Sequence, residues 1–196
     1  MTNRSYHHGD LRAQLIATVT QLVEERGADG FSITEASRRA GVSSAAPYKH
    51  FRDKPEIMRA VTAAAMERLA DRMEEGAAAH PRGSLGRVSA IGRAYIAFAL
   101  AEPGLFKVMF GSEAGAVEDP DLHALGLRTF GIVLDAVAAR RGAAPDAPEV
   151  RLRAYTLWTI VHGHSFLAIN ENTPADGERP DEETFLANAA RQVVDG

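Results

Sequence analysis

From Leu11 to Val193 the apolar residues of this chain return every three or four positions, and no stretch alternates apolar with polar long enough to make a strand. That regularity confines the fold to the all-α class, with breaks where Gly, Pro and capping residues fall. The 196 residues are 45% apolar and 24% charged, enough for a packed core in one or two domains. There is no cysteine, so disulfides and thiolate metal sites are excluded and no oxidising compartment is needed. Apolar stretches are broken by Arg, Glu, Gly or His short of the ~18 residues of a membrane span, and MTNRSYHHGD at the start lacks the apolar run of a signal peptide. The expectation is a soluble cytoplasmic protein of about nine helices.

The first helix reads from Asp10 to Glu25, with Leu11, Leu15, Val19, Leu22 and Val23 on one stripe and Gly27 beyond its end. The second opens at Ser32, which caps it while Glu35 reaches back, and it ends at Gly41, where a left-handed residue is needed. Val42 then plugs the core, and Ser44 caps a third helix with Pro47 in its first turn. Tyr48 and Phe51, three apart, are expected to anchor that helix inward, leaving Ser44, Ala45, Lys49 and His50 outward. Two short helices around a glycine turn, with small, hydroxyl and basic residues outward, form a helix-turn-helix over about residues 33 to 52, shaped to enter a DNA major groove about 12 Å wide. Residues 1 to 60 carry nine Lys/Arg against seven Asp/Glu, and the remainder 13 against 19, so the first third is the less acidic part of a chain with net charge −4.

Asp53, Pro55 and Glu56 start a long helix running to about Glu75, striped by Ile57, Val61, Ala65, Leu69 and Met73. GAAAHPRGS, residues 76 to 84, marks a boundary. The reading divides the chain into a DNA-binding part (1–54), a connecting helix and linker (55–83) and a C-terminal part (84–196).

The segment TEASRRAGVSSAAPYKHFRDKPEIM, through its Ala-Gly-Val-Ser, its Tyr-x-His-Phe and the Lys that follows, resembles the DNA-binding domain of the TetR family of transcriptional regulators. The resemblance spans residues 11 to 73. It implies that Thr34, Ser43, Ser44, Tyr48, Lys49, His50 and Lys54 lie where that family meets DNA, mostly at phosphates, and Ala45, outward by its place on the helix, joins them as a candidate. Two positions depart from the common pattern: Ala36-Ser37 stands for Ile-Ala, and Pro47 for Leu or Ile.

Five further helices are expected after residue 84. Ser84 caps one, with Val88, Ile91, Tyr95, Ile96 and Ala99 inward; PGLFKVMFG makes a brief apolar one, and Asp119-Pro120 opens the next. The heart of the fourth, YTLWTIVHGHSFLAI, is apolar nearly all round and so buried on more than one side. The last runs from Asp181 to Val194. The Trp-His-Gly spacing at Trp158, His162 and Gly163, together with EPGLFKVMF, is similar to one TetR subgroup and extends the resemblance to nearly the whole chain. Pairing the last two helices against their copies gives a two-fold four-helix interface, so a homodimer is expected; the resemblance implies that it sits on a palindromic double-stranded operator, and the expected effector is an apolar or amphipathic small molecule. The candidate effector residues are Tyr95, Phe106, Met109, Phe110, Phe130, Trp158, His162 and Phe166.

Each of these has a plainer reading. The aromatic residues are ordinary core, His162 is a satisfied buried histidine, and His7-His8 belongs to a terminal arm. His162 and His164 are two apart on a helix and point apart, so they form no chelating pair. No nucleophile elbow, phosphate-cradling glycine loop or cluster of metal ligands is present, so neither an enzyme nor a metal or other cofactor is expected. The competing functions are a helical small-molecule sensor that acts through a protein partner, and a regulator that activates rather than represses.

Overall fold

The computed structural model describes residues 8–111, 119–172 and 180–196, with side chains from Leu11 onward. Among these residues the protein has eight α-helices and no strand: α1 (His8–Arg26), α2 (Ile33–Arg39), α3 (Lys54–Ala78), α4 (Leu85–Ala101), α5 (Pro103–Phe110), α6 (Pro120–Arg141), α7 (Pro148–Ile169) and α8 (Glu182–Val194). His7 of the expected arm lies outside the described residues, and His8 opens α1. Two compact units form, the described residues of 1–65 with 104–116, and those of 66–103 with 117–196, so the division falls inside α3.

In the first unit the α1 stripe Leu11, Leu15, Val19, Leu22 and Val23 is buried as its spacing requires. Each such side chain contributes about 1.5–3 kcal/mol relative to exposure. The Ser32 hydroxyl accepts from the Glu35 amide at 3.2 Å, but the Glu35 carboxylate pairs with Arg26 at 2.6 Å instead of reaching back. The end of α2 closes as a Schellman motif: Gly41 sits at φ 70°, its amide donates to Arg38, and the Val42 amide donates to Ser37. Val42 itself is half-buried. Ser37, standing where alanine is usual, is buried, and its hydroxyl donates to the Ile33 carbonyl at 2.8 Å, so the extra polar group is satisfied.

The expected third helix is reduced to a 3₁₀ turn, Pro47–Lys49. Proline has no amide hydrogen, so no bond from position 47 back to Ser43 can form. Three of its bonds, from Ala46 to Ser43, Lys49 to Ala46 and His50 to Pro47, are one residue short of an α-helix, and a single bond of α-helical span, from Phe51 to Pro47, follows them. The N-cap is Ala46, without a side-chain bond, so Ser44 does not cap as expected. Nor is Tyr48 an anchor, being 59% exposed; Ala46, Pro47 and Phe51 are the buried residues. With three residues per turn, positions 48 and 51 no longer follow a 3.6-residue stripe.

α5 also belongs to this unit. Its first-turn amides at Gly104 and Leu105 donate to the two carboxylate oxygens of Glu24 on α1, at 3.0 and 2.7 Å. These are donors that a helix cannot satisfy internally. The approach is close enough that a Cβ on Gly104 would stand 2.8 Å from the Val23 carbonyl oxygen.

In the second unit α4 packs against α6, α7 and α8, and α7 against α6 and α8. Asp119 caps α6 through the amides of Asp121 and Leu122, with Pro120 in the first turn as expected. Although α6 is long and apolar enough to cross a membrane by length and composition, its Arg128 binds Asp71 and Glu74 of α3 at 2.8 and 2.9 Å. α7 is buried along Val150, Ala154, Leu157, Val161 and Ser165 only; Leu152, Tyr155 and Leu167 are exposed in the single chain.

Because backbone atoms lie in its path, Gly104→Ala is expected to destabilise the protein by about 1–3 kcal/mol. An unchanged thermal midpoint would show that α5 is not seated against α1 as described.

Candidate nucleic-acid interface and aromatic cluster

Burying Ala46, Pro47 and Phe51 turns the other side of the segment outward. Ser43, Ser44, Ala45, Tyr48 and Lys49 are exposed, His50 is half-buried, and on α2 Thr34 is exposed with Arg38 four residues on. Ser43, Ser44, Ala45 and Thr34 are short side chains, which lets the backbone that carries them approach a groove closely. Lys54 differs. Its ammonium donates to the Phe31 carbonyl at 3.0 Å and lies 4.4 Å from the Phe31 ring centroid, so it first ties α3 to the loop before α2.

Charge around the segment is unevenly compensated. Arg26 pairs with Glu35, Arg39 with Glu25, and Arg52 with Glu56. The Arg39 pair holds the Glu25 carboxyl below its ordinary range, first through the hydrogen bond. Arg12 of α1, which no motif singles out, is exposed, with its guanidinium carbon 5.3 Å from the Phe51 ring centroid.

Five of the candidate effector residues meet in the second unit. Tyr95 on α4 is buried, and its hydroxyl oxygen lies 2.8 Å from Nδ1 of His162 on α7. Phe130 of α6 stands edge-on to Trp158 at 6.2 Å, Trp158 is 5.5 Å from His162, and His162 is 5.0 Å from Phe166. The other three, Phe106, Met109 and Phe110, lie on α5 in the first unit, where Phe106 and Met109 are buried and the two phenylalanine rings are 4.9 Å apart. Among the described residues no group of three or more His, Cys, Asp or Glu is placed to hold a metal.

Burial pushes Tyr95 up, so its hydroxyl stays protonated, and pushes His162 below the ordinary histidine value of 6.5. The unfolded chain therefore protonates His162 more readily than the folded one. Stability tied to the neutral ring is whole above 6.5 and is lost as pH falls below it. The thermal midpoint is expected to drop between about pH 7.5 and about pH 5.5, and to drop less in His162→Gln. Equal drops in the two proteins would take His162 out of this account.

Comparison with known proteins agrees with this anatomy. Residues 15–61 match the model for bacterial regulatory proteins of the tetR family, and residues 88–191 the model for a tetracyclin repressor-like C-terminal domain. No curated protein matches the chain. Among solved structures, a protein of unknown function from Rhodococcus sp. RHA1 is 27% identical, with 99% of this chain and 98% of that one covered and a TM-score of 0.82. Two others share the fold at lower identity. A structure described as a TetR-family transcriptional regulator from Mesorhizobium loti MAFF303099 is 21% identical (99% and 96% covered, TM-score 0.66). The transcriptional regulator FadR from Bacillus subtilis, in complex with stearoyl-CoA, is 15% identical (94% and 98% covered, TM-score 0.70). With a helix-turn-helix that matches one family model and a C-terminal helical region, more than half the chain, that matches the other, this protein belongs to the TetR family of transcriptional regulators.

Proposed function

We propose that the protein is a cytoplasmic, homodimeric repressor that binds a palindromic operator and is released from it by an apolar or amphipathic small molecule. The observation that carries the DNA half is the inversion at the 3₁₀ turn: apolar residues 46, 47 and 51 are sunk, and Ser43, Ser44, Ala45, Tyr48 and Lys49 stand out with Thr34 on α2. Lys49, Thr34 and Tyr48 meet backbone phosphates and set register, while Ser43, Ser44 and Ala45 approach base edges. His50 and Lys54 have smaller parts, because one is half-buried and the other is held at Phe31.

For the effector half, the cluster of Tyr95, Phe130, Trp158, His162 and Phe166 offers apolar walls around one polar pair. That chemistry suits a ligand with an apolar body and one hydrogen-bonding group. FadR, of the same fold, holds an acyl-CoA. The ligand acts only through a difference in affinity between the DNA-fitting state and the other one. The exposed apolar side of α7, at Leu152, Tyr155 and Leu167, with α8, supplies the two-fold contact.

Selection of genomic duplexes by the purified protein, followed by binding at several salt concentrations, tests this function. The best duplex is expected to bind at least ~10³ times more tightly than its scramble. Lys49→Ala is expected to weaken binding to both and to flatten the salt dependence. Tyr48→Ala is expected to weaken binding while leaving the melting temperature unchanged, since the ring is exposed. Equal affinity for selected and scrambled duplexes would refute the operator reading and favour a sensor that acts through a protein partner.

A further inference from the structure

We propose that Arg12 of α1 is a phosphate-binding residue, so that the DNA surface extends beyond the helix-turn-helix to the first helix. The inference rests on the operator reading above and adds a contact that the motif does not contain.

Its basis is where Arg12 is held. The guanidinium carbon stands 5.3 Å from the Phe51 centroid, within the range of cation–π attraction. Phe51 is buried, and its amide donates to the Pro47 carbonyl at 2.9 Å, so the ring is fixed to the 3₁₀ turn that carries Tyr48 and Lys49. A guanidinium attracted to a ring face spends none of its five N–H donors on that contact. Arg12, itself exposed, is therefore held at a residue of the helix-turn-helix segment with its hydrogen-bonding fork still available, and less side-chain freedom is lost when an anion arrives.

Charge decides which anion that is. Three neighbouring arginines of the same unit, Arg26, Arg39 and Arg52, are neutralised by Glu35, Glu25 and Glu56. Among the described residues no carboxylate pairs with Arg12, nor with exposed Arg38 or Lys49. The uncompensated cations thus include the one on the turn and one at its flank, matching a polyanion that passes along the turn. A planar guanidinium takes two oxygens of one phosphate, which suits a duplex backbone.

The test is the salt dependence of binding to the selected genomic duplex for wild type, Arg12→Gln, Arg12→Lys and, as a neutralised control, Arg39→Gln. One phosphate contact in each protomer of a dimer gives Arg12→Gln a slope of log K against log salt that is shallower by about 1.8. Arg12→Lys keeps most of the wild-type slope, and Arg39→Gln keeps it all. A purely structural role for Arg12 on Phe51 would lower the melting temperature and leave the slope unchanged, and that result overturns the proposal. Should Arg12→Gln destabilise the protein, Arg12→Met, whose unbranched stem still covers Phe51, carries the slope measurement. Wild type failing to prefer the selected duplex over its scramble would remove the operator reading and this proposal together. A selective wild type with an unaltered slope in Arg12→Gln would remove this proposal alone.

Discussion

The joint burial of Ala46, Pro47 and Phe51 determines the shape of the surface on which the proposed function depends. Pro47 stands at the first position after the Ala46 cap, where its missing amide costs little, and the segment closes as a short 3₁₀ turn. A turn that short holds its place only by burying what it can, and Ala46, Pro47 and Phe51 go inward together. Ser43, Ser44, Tyr48 and Lys49 are thereby directed outward, while His50 stays half-buried. Pro47 serves as an apolar anchor, and Tyr48 stands at the surface.

The supports around the turn are of a different kind. α2 is fixed at one end by the Ser32 cap and at the other by the Schellman motif at Gly41, and the Gln14 side chain donates to the Ala40 carbonyl at 3.1 Å. Surface ion pairs such as Arg39 with Glu25 add little stability in water, but they neutralise charge. Their effect is to leave net positive potential at chosen positions, Arg12, Arg38 and Lys49 among them, instead of over the whole unit. In the second unit buried Tyr95 meets half-buried His162, and the raised and lowered protonation equilibria of the two share one cause, burial.

Much of this was legible in the residues. Stripes at helical spacing located the α1, α3 and α4 core positions, and the Ser32, Asp53, Ser84, Asp119 and Asp181 caps began helices where their side chains predicted. The failures came where a local rule met a tertiary contact. Glu35 had the spacing of a capping box, yet an arginine from the end of α1 took its carboxylate. Tyr48 and Phe51 had helical spacing, which means nothing on a 3₁₀ turn. That α5 belongs with the first unit depends on Glu24, eighty residues away in sequence, and no window of neighbouring residues contains that pairing. Arg12 was invisible for the same reason, since only the folded chain brings it to Phe51.

The central claim is that the outward turn enters the major groove, once from each protomer. Methylation interference at guanine N7, an atom exposed only in that groove, tests it on the selected duplex. Two interfering patches about 10 base pairs apart, related by the symmetry of the site, are the predicted result. A single patch, or binding indifferent to N7 methylation, would contradict the account.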